Sequence, residues 1–144
     1  MAIFSSDKLI ADKQQLVKYF QDGCTPSDQW KIGTEHEKFA FDNETLRPLR
    51  YGGDRGIKRL LLELTKFGWD PIFEHGNPIA LKRKDNSSIT LEPGGQFELS
   101  GAPLATIHET CGEIAQHLEE VKSIATNLDV AFLGIGYIPK WGVI

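Results

Sequence analysis

The sequence predicts an α+β fold, an antiparallel sheet with helices packed on one face. Three observations carry this prediction. Apolar residues recur every three or four positions in the stretches 8–20, 57–67 and 104–128. Short alternating stretches, 31–41, 79–83, 88–92, 96–100 and 130–135, lie around and between them. The first two short stretches of the middle region flank Asp85-Asn86, which reads as a hairpin turn and therefore as antiparallel pairing.

Each element has a local justification. In 8–20, Leu9, Ile10, Leu16, Val17 and Phe20 share a stripe; Ser6 or Asp7 can cap the start, and Gly23, Thr25 and Pro26 mark the stop. Strand 31–41 ends in the turn Asp42-Asn43-Glu44, and Arg47-Pro48-Leu49 is expected to be extended. Gly52-Gly53-Asp54 leads into the second helix with Asp54 as its cap, and Ile57, Leu60, Leu61, Leu64 and Phe67 form its apolar stripe before Gly68. Pro93-Gly94-Gly95 breaks the chain direction between two alternating strands. Pro103 suits the first turn of the longest helix, where its missing N–H costs little. Leu104, Ile107, Cys111, Ile114, Leu118, Val121, Ala125 and Leu128 then make a narrow seam expected to pack on the sheet.

The chain has 144 residues, enough for one domain or part of a larger one, and a formal net charge of −4. With no basic run, nothing points to nucleic acid or an anionic membrane as partner. No apolar run approaches membrane-spanning length, and residues 1–7 lack the apolar stretch of a secretory signal, so a cytoplasmic protein is the default expectation. Cys24 and Cys111 are too few for a disulfide framework and lack metal-ligand spacing.

Two segments concentrate polar chemistry. Glu35 and Glu37 are two apart on a strand, so they project from one face about 7 Å apart. Carboxylates at that spacing can converge on a hard cation, since magnesium takes oxygen ligands. A solvated strand end, with either glutamate paired to a lysine, fits the same pattern. In line with them lie Phe39 and Phe41, so the strand runs from a core into a polar cleft. In the second segment Glu92 and Glu98 lie on the polar faces of their strands, and parity cannot carry across Pro93-Gly94-Gly95 to say whether those faces coincide. Gly94 and Gly95 could admit a phosphate to backbone N–H groups, or simply serve a turn. The glycine-rich 52–56 matches neither the dinucleotide fingerprint nor the Walker loop, His36 and His75 lack metal partners in the sequence, and His108 and His117 read as exposed helix residues.

These segments resemble one family. Residues 32–39, IGTEHEKF, resemble the first signature strand of glutamate–cysteine ligases of the plant and proteobacterial type. Residues 91–103, LEPGGQFELSGAP, resemble the second, and Thr106 to Cys111, Phe132 to Gly136 and Pro139-Lys140-Trp141 follow in order and spacing. The resemblance implies a glutamine-synthetase-like carboxylate–amine ligase fold and a chain, 1–144, that forms the N-terminal part of a larger catalytic domain. It implies ATP-dependent joining of the γ-carboxylate of L-glutamate to the amine of L-cysteine through an acyl phosphate, the first step of glutathione biosynthesis. It implies Mg2+ held by sheet glutamates, which map by motif onto Glu35, Glu37, Glu92 and Glu98. None of the four is assigned as a general base.

Members of that family are several hundred residues long, so the 144-residue chain is expected to be inactive alone. Arg47, Arg50, Arg55, Arg59 and Arg83 all lie outside the two signature segments, and a partial sheet leaves an unpaired edge prone to self-association. Three other readings remain open at this level: a non-catalytic remnant or interaction module, a glycoside hydrolase using two of the glutamates, and a ligase for another amine.

Overall fold

The computed structural model describes residues 9–138. The candidate caps Ser6 and Asp7, the predicted helix start at Lys8 and the Pro139-Lys140-Trp141 segment lie outside the described residues. Contacts divide the chain into two compact units, Met1–Trp30 and Lys31–Ile144.

The first unit carries helix α1, Lys13–Asp22. It starts later than the apolar pattern predicts because Asp12 is the cap: its carboxylate accepts the Gln15 N–H at 2.9 Å. Leu9 and Ile10 therefore precede the helix, and no residue of α1 is buried. Gly23 ends it, as expected, and a short 3-10 turn, Ser27–Gln29, follows.

The second unit is α+β. Among the described residues its six antiparallel strands are β1 (Glu35–Asp42), β2 (Asp70–Glu74), β3 (Asn77–Lys82), β4 (Ser88–Glu92), β5 (Gln96–Ser100) and β6 (Val130–Leu133), in the order β2-β3-β4-β5-β1-β6. Helices α2 (Ile57–Leu64) and α3 (Ile107–Leu128) complete it. β2 is the element the sequence hides: only Ile72 and Phe73 are apolar among its side chains besides Pro71, and such a strand survives at an edge, where proline is tolerated. His75 and Gly76, both at positive φ (47° and 78°), turn it into β3. Asn86, also at positive φ, makes the expected turn between β3 and β4.

Two predicted helix starts move. α2 is capped by Gly56 rather than Asp54. Its first donors are met by backbone: Ile57 N–H donates to the Arg50 carbonyl and Lys58 N–H to that of Tyr51. A Cβ at Gly56 would sit 2.3 Å from the Gly52 oxygen, so this entry requires glycine. α3 begins beyond Pro103, at a full capping box between Thr106 and Glu109.

The main core joins Leu60, Leu61 and Leu64 of α2 and Ile124 of α3 to Leu81, Ile89, Phe97 and Leu99 of the sheet. Both helices thus cover one sheet face. The predicted α3 seam is correct only toward its C-terminal half. Thr110, His117 and Glu120 are buried with Val121 and Ile124, while Ile107, Cys111 and Leu118 are exposed. The inward face is offset by about one residue, ~100° of helix rotation, from the apolar stripe. Polar pairing under the helix makes this possible.

Candidate functional site

Strand register decides what parity along the chain could not. Pro93, Gly94 and Gly95 form a three-residue loop, with Gly94 and Gly95 at φ 82° and 78°, and it closes β4 onto β5 as a hairpin. Glu92 pairs across from Gln96 and Thr90 from Glu98. On the other side of β5, Glu37 pairs with Glu98 and Glu35 with Ser100. Residues directly opposite share a face, and so do residues two apart on a strand. Glu35, Glu37, Glu92 and Glu98 therefore rise from one face, and Phe97 and Leu99 from the other, under the helices. Further along β1 the carboxylate face turns apolar: Phe39 and Phe41 pack with Ile135 and Ile138. This is the expected passage from core to polar cleft.

Glu92 feels the other three carboxylates. The charge of Glu98 beside Glu92 raises the Glu92 pKa above the ordinary glutamate value, with desolvation, a hydrogen bond that protonated Glu92 donates to Glu98, and the charges of Glu37 and Glu35 acting in the same direction. Gln96 Nε2 donates to Glu37 Oε2 at 2.8 Å, and Ser100 Oγ donates to Glu98 Oε1 at 2.9 Å. Among the described residues no lysine or arginine forms an ion pair with any of the four. The lysine next to Glu37 in sequence, Lys38, points to the opposite face and is buried. Glu35, Glu37, His36 and the backbone turn Gly134-Ile135-Gly136 line an open recess of about 500 Å³.

An all-oxygen donor set of this kind, with no ion-pair partner among the described residues, fits a hard divalent cation. Among the described residues no three histidine, cysteine or acidic side chains converge closely enough to enclose a metal ion. Magnesium usually keeps several waters and is bound by one or two carboxylates, joined by substrate phosphates where these are present, so the face fits that mode and not a protein-only cage.

Behind this face lies a polar layer that sequence patterns did not reveal. Lys38 Nζ meets His117 Nε2 at 2.9 Å and the His36 carbonyl at 3.1 Å. Glu120 accepts from Trp69 Nε1 at 2.8 Å and from Arg83 at 2.7 Å, while the Arg83 guanidinium stacks on the Trp69 ring 3.9 Å from its centroid. A recess of about 380 Å³ on this side is lined by His117 and by Arg83, Asp85, Ser87 and Glu113, the last four already paired with one another, with Glu120 or with backbone. Lys38 sits in a polar run and His117 on a helix face that reads as exposed, so no periodic signal marks either. Gln96 and Ser100 were legible as polar-face residues of β5 but not as donors to particular carboxylates. Cys24 and Cys111 are both free and exposed.

The comparisons with known proteins agree with the motif resemblance. Residues 31–142 match the model of glutamate–cysteine ligase family 2. The chain is 52% identical over 131 residues to glutamate–cysteine ligase A, chloroplastic, of rice (Oryza sativa subsp. japonica), covering 91% of this chain and 26% of that protein. It is 51% identical over 130 residues to the chloroplastic glutamate–cysteine ligase of Medicago truncatula (90% and 25%) and 46% identical over 129 residues to that of Arabidopsis thaliana (90% and 24%). The chain thus spans about a quarter of the length of the curated relatives it matches. Their names correct the cytoplasmic expectation: each is chloroplastic, and composition with seven leading residues was too thin a basis for a location. No helix among the described residues is long and apolar enough to cross a membrane. From the family match over most of its length, together with the two glutamate-bearing segments on one sheet face, the chain belongs to glutamate–cysteine ligase family 2.

Proposed function

We propose that this chain is part of the catalytic domain of a glutamate–cysteine ligase, and that Glu35, Glu37, Glu92 and Glu98 form its cation-binding face. The observation that carries this reading is the shared face itself: four glutamates from β1, β4 and β5, without an ion-pair partner among the described residues, in a chain of this family. The proposed fold is the glutamine-synthetase-like one of carboxylate–amine ligases, in which this six-stranded unit is one portion of a larger domain.

The proposed reaction joins the γ-carboxylate of L-glutamate to the amine of L-cysteine, with ATP forming an acyl phosphate on the way and ADP and phosphate leaving. A carboxylate approaching a γ-phosphate meets like-charge repulsion, and Mg2+ supplies the positive charge that offsets it. The four glutamates hold and orient that charge over the sheet. Gly94 and Gly95, exposed at the hairpin tip beside Glu92, leave backbone open to a phosphate oxygen. The positive charge that a triphosphate and the substrate α-carboxylate also need is proposed to come from residues outside this portion.

A segment exchange tests the reading. Residues 31–138 replace the matching segment of the rice relative, and γ-glutamylcysteine and ADP are measured with Mg2+, ATP, glutamate and cysteine. The chimera is expected to be active, and Glu98→Gln within it to lower Mg2+-dependent turnover on the order of 100-fold or more. A folded chimera whose Glu35→Gln and Glu98→Gln variants turn over at the unsubstituted rate would overturn the assignment of these glutamates.

A further inference from the structure

We infer that Gln96 and Ser100 are positioning residues that hold Glu37 and Glu98 as the preset pair of cation ligands, while Glu35 and Glu92 join only when a cation is present. This rests on the proposed cation-binding face and goes beyond it by ranking the four glutamates and naming what orients two of them.

The geometry is specific. Glu37 and Glu98 are direct cross-strand partners, which places their Cβ atoms about 5 Å apart, closer than the ~7 Å between Glu35 and Glu37 along the strand. Each of the two has one oxygen engaged by a neutral donor from β5: the Gln96 amide on Glu37 Oε2 and the Ser100 hydroxyl on Glu98 Oε1. The amide orientation follows from the chemistry, because only the NH2 group can donate to a carboxylate. Engaging one oxygen restricts the carboxylate's rotation and leaves the other oxygen available. Among the described residues Glu35 and Glu92 receive no neutral side-chain donor of this kind, and Glu92 is coupled instead to Glu98.

The donors are neutral, and that matters. A lysine or arginine in either place would fix the carboxylate equally well and cancel the charge that attracts a cation. An amide and a hydroxyl restrain the ligands without weakening the local field. Partners of this kind typically change metal affinity 10–100-fold when removed. Both lie in β5 itself, Gln96 two residues before Glu98 and Ser100 two after, so the strand alternation that sends Glu98 to this face sends its supporting donors with it.

Mn2+ binding to the purified chain, followed by electron paramagnetic resonance of the free ion, tests the inference without any need for turnover. Circular dichroism confirms that each variant remains folded at the temperature used. Gln96→Ala and Ser100→Ala are each expected to weaken Mn2+ binding about 10-fold, and Ser100→Thr, which retains the hydroxyl, to stay near the unsubstituted value. Thr90→Val is the control: Thr90 lies opposite Glu98 on the same face but donates to neither Glu37 nor Glu98, and its change is expected to be under about two-fold. Saturable binding that Gln96→Ala and Ser100→Ala leave unchanged, or that Thr90→Val weakens equally, would overturn the positioning role while sparing the cation face. No saturable Mn2+ binding by the unsubstituted chain would overturn the cation face, and this inference with it.

Discussion

Lys38 donates its ammonium hydrogen to Nε2 of His117 across 2.9 Å, with both side chains buried on the sheet face opposite the glutamates. Accepting there requires a neutral imidazole protonated at Nδ1, and that Nδ1 is buried without a partner among the described residues. Burial is the main reason both groups resist carrying charge: with the Lys38 ammonium acting in the same direction His117 is held down to about 3, and Lys38 is held down to about 8 although the charge of Glu98 favours its ammonium form.

The pair sets an acid limit on stability. His117 titrates near 6.5 when unfolded and near 3 when folded, so the unfolded chain takes up a proton first as pH falls. The contribution is fully present above about 6.5 and is lost progressively toward pH 3, amounting to a few kcal/mol. Lys38 acts at the other end. Its burial penalty is relieved as pH rises from about 8 to about 10.5, because the folded form releases its proton first. His117→Gln preserves an acceptor for Lys38 and removes the titration. Urea midpoints between pH 4 and 7 are expected to fall steeply with acid in the unsubstituted chain and less steeply in the variant. Parallel slopes would show that His117 does not set the limit.

Glu120 is the second buried charge on that face, and it holds Arg83 and Trp69 Nε1 at once. Glu120 is 5% exposed, so removing it strands a cation and an indole N–H. Breaking a buried pair from one side typically costs 3–5 kcal/mol, and Glu120→Ala is expected at about 3 because Arg83 retains the Phe67 carbonyl. Glu120→Gln, which can still accept from Trp69, should cost less. Urea unfolding measures both, and a loss under ~1 kcal/mol for Glu120→Ala would show that solvent replaces the pair.

Two glycines make opposite predictions. Gly56→Ala forces a Cβ against the Gly52 and Tyr51 carbonyls, at 2.3 Å and 2.7 Å, in the backbone cap of α2. A loss of about 1–3 kcal/mol is expected, the range of overpacked sites. Gly112, exposed in α3, has nothing within 4 Å of the added carbon, and Gly112→Ala is expected to gain about 0.5–1 kcal/mol through helix propensity. Thermal unfolding of the two variants should therefore move in opposite directions.

Alternation along each strand made the site partly legible from sequence, since Glu35 and Glu37, like Glu98 and Gln96, had to share a face. The join between segments was illegible because it depends on how many residues the Pro93–Gly95 loop takes at positive φ. The α3 seam misled for a different reason. Apolar periodicity assumes that polar residues face outward, whereas Thr110, His117 and Glu120 are buried with hydrogen-bond partners of their own, leaving Ile107 and Leu118 exposed. β2 escaped because an edge strand needs little apolar alternation once β3 supplies its partner.

Glu92 reports on the carboxylate face directly. Repulsion from Glu98 is the largest cause of its raised pKa, so the folded chain holds that proton to higher pH than the unfolded chain. Its contribution to stability is therefore fully present below the unfolded value and is lost as pH rises through the folded one. Glu92→Gln should raise the urea midpoint at pH 7 and leave it almost unchanged at pH 4, with the gain shrinking as salt screens the repulsion. In carbon-detected NMR titrations the Glu92 carboxyl is expected to titrate above the ordinary glutamate value, and lower in Glu98→Gln. Millimolar Mg2+ is expected to lower it in the unsubstituted chain and to do so less in Glu98→Gln, because a cation shared by the two carboxylates replaces repulsion with attraction. A Glu92 carboxyl that titrates at its ordinary value, indifferent to Glu98, would mean that the glutamates point apart in solution and share no cation.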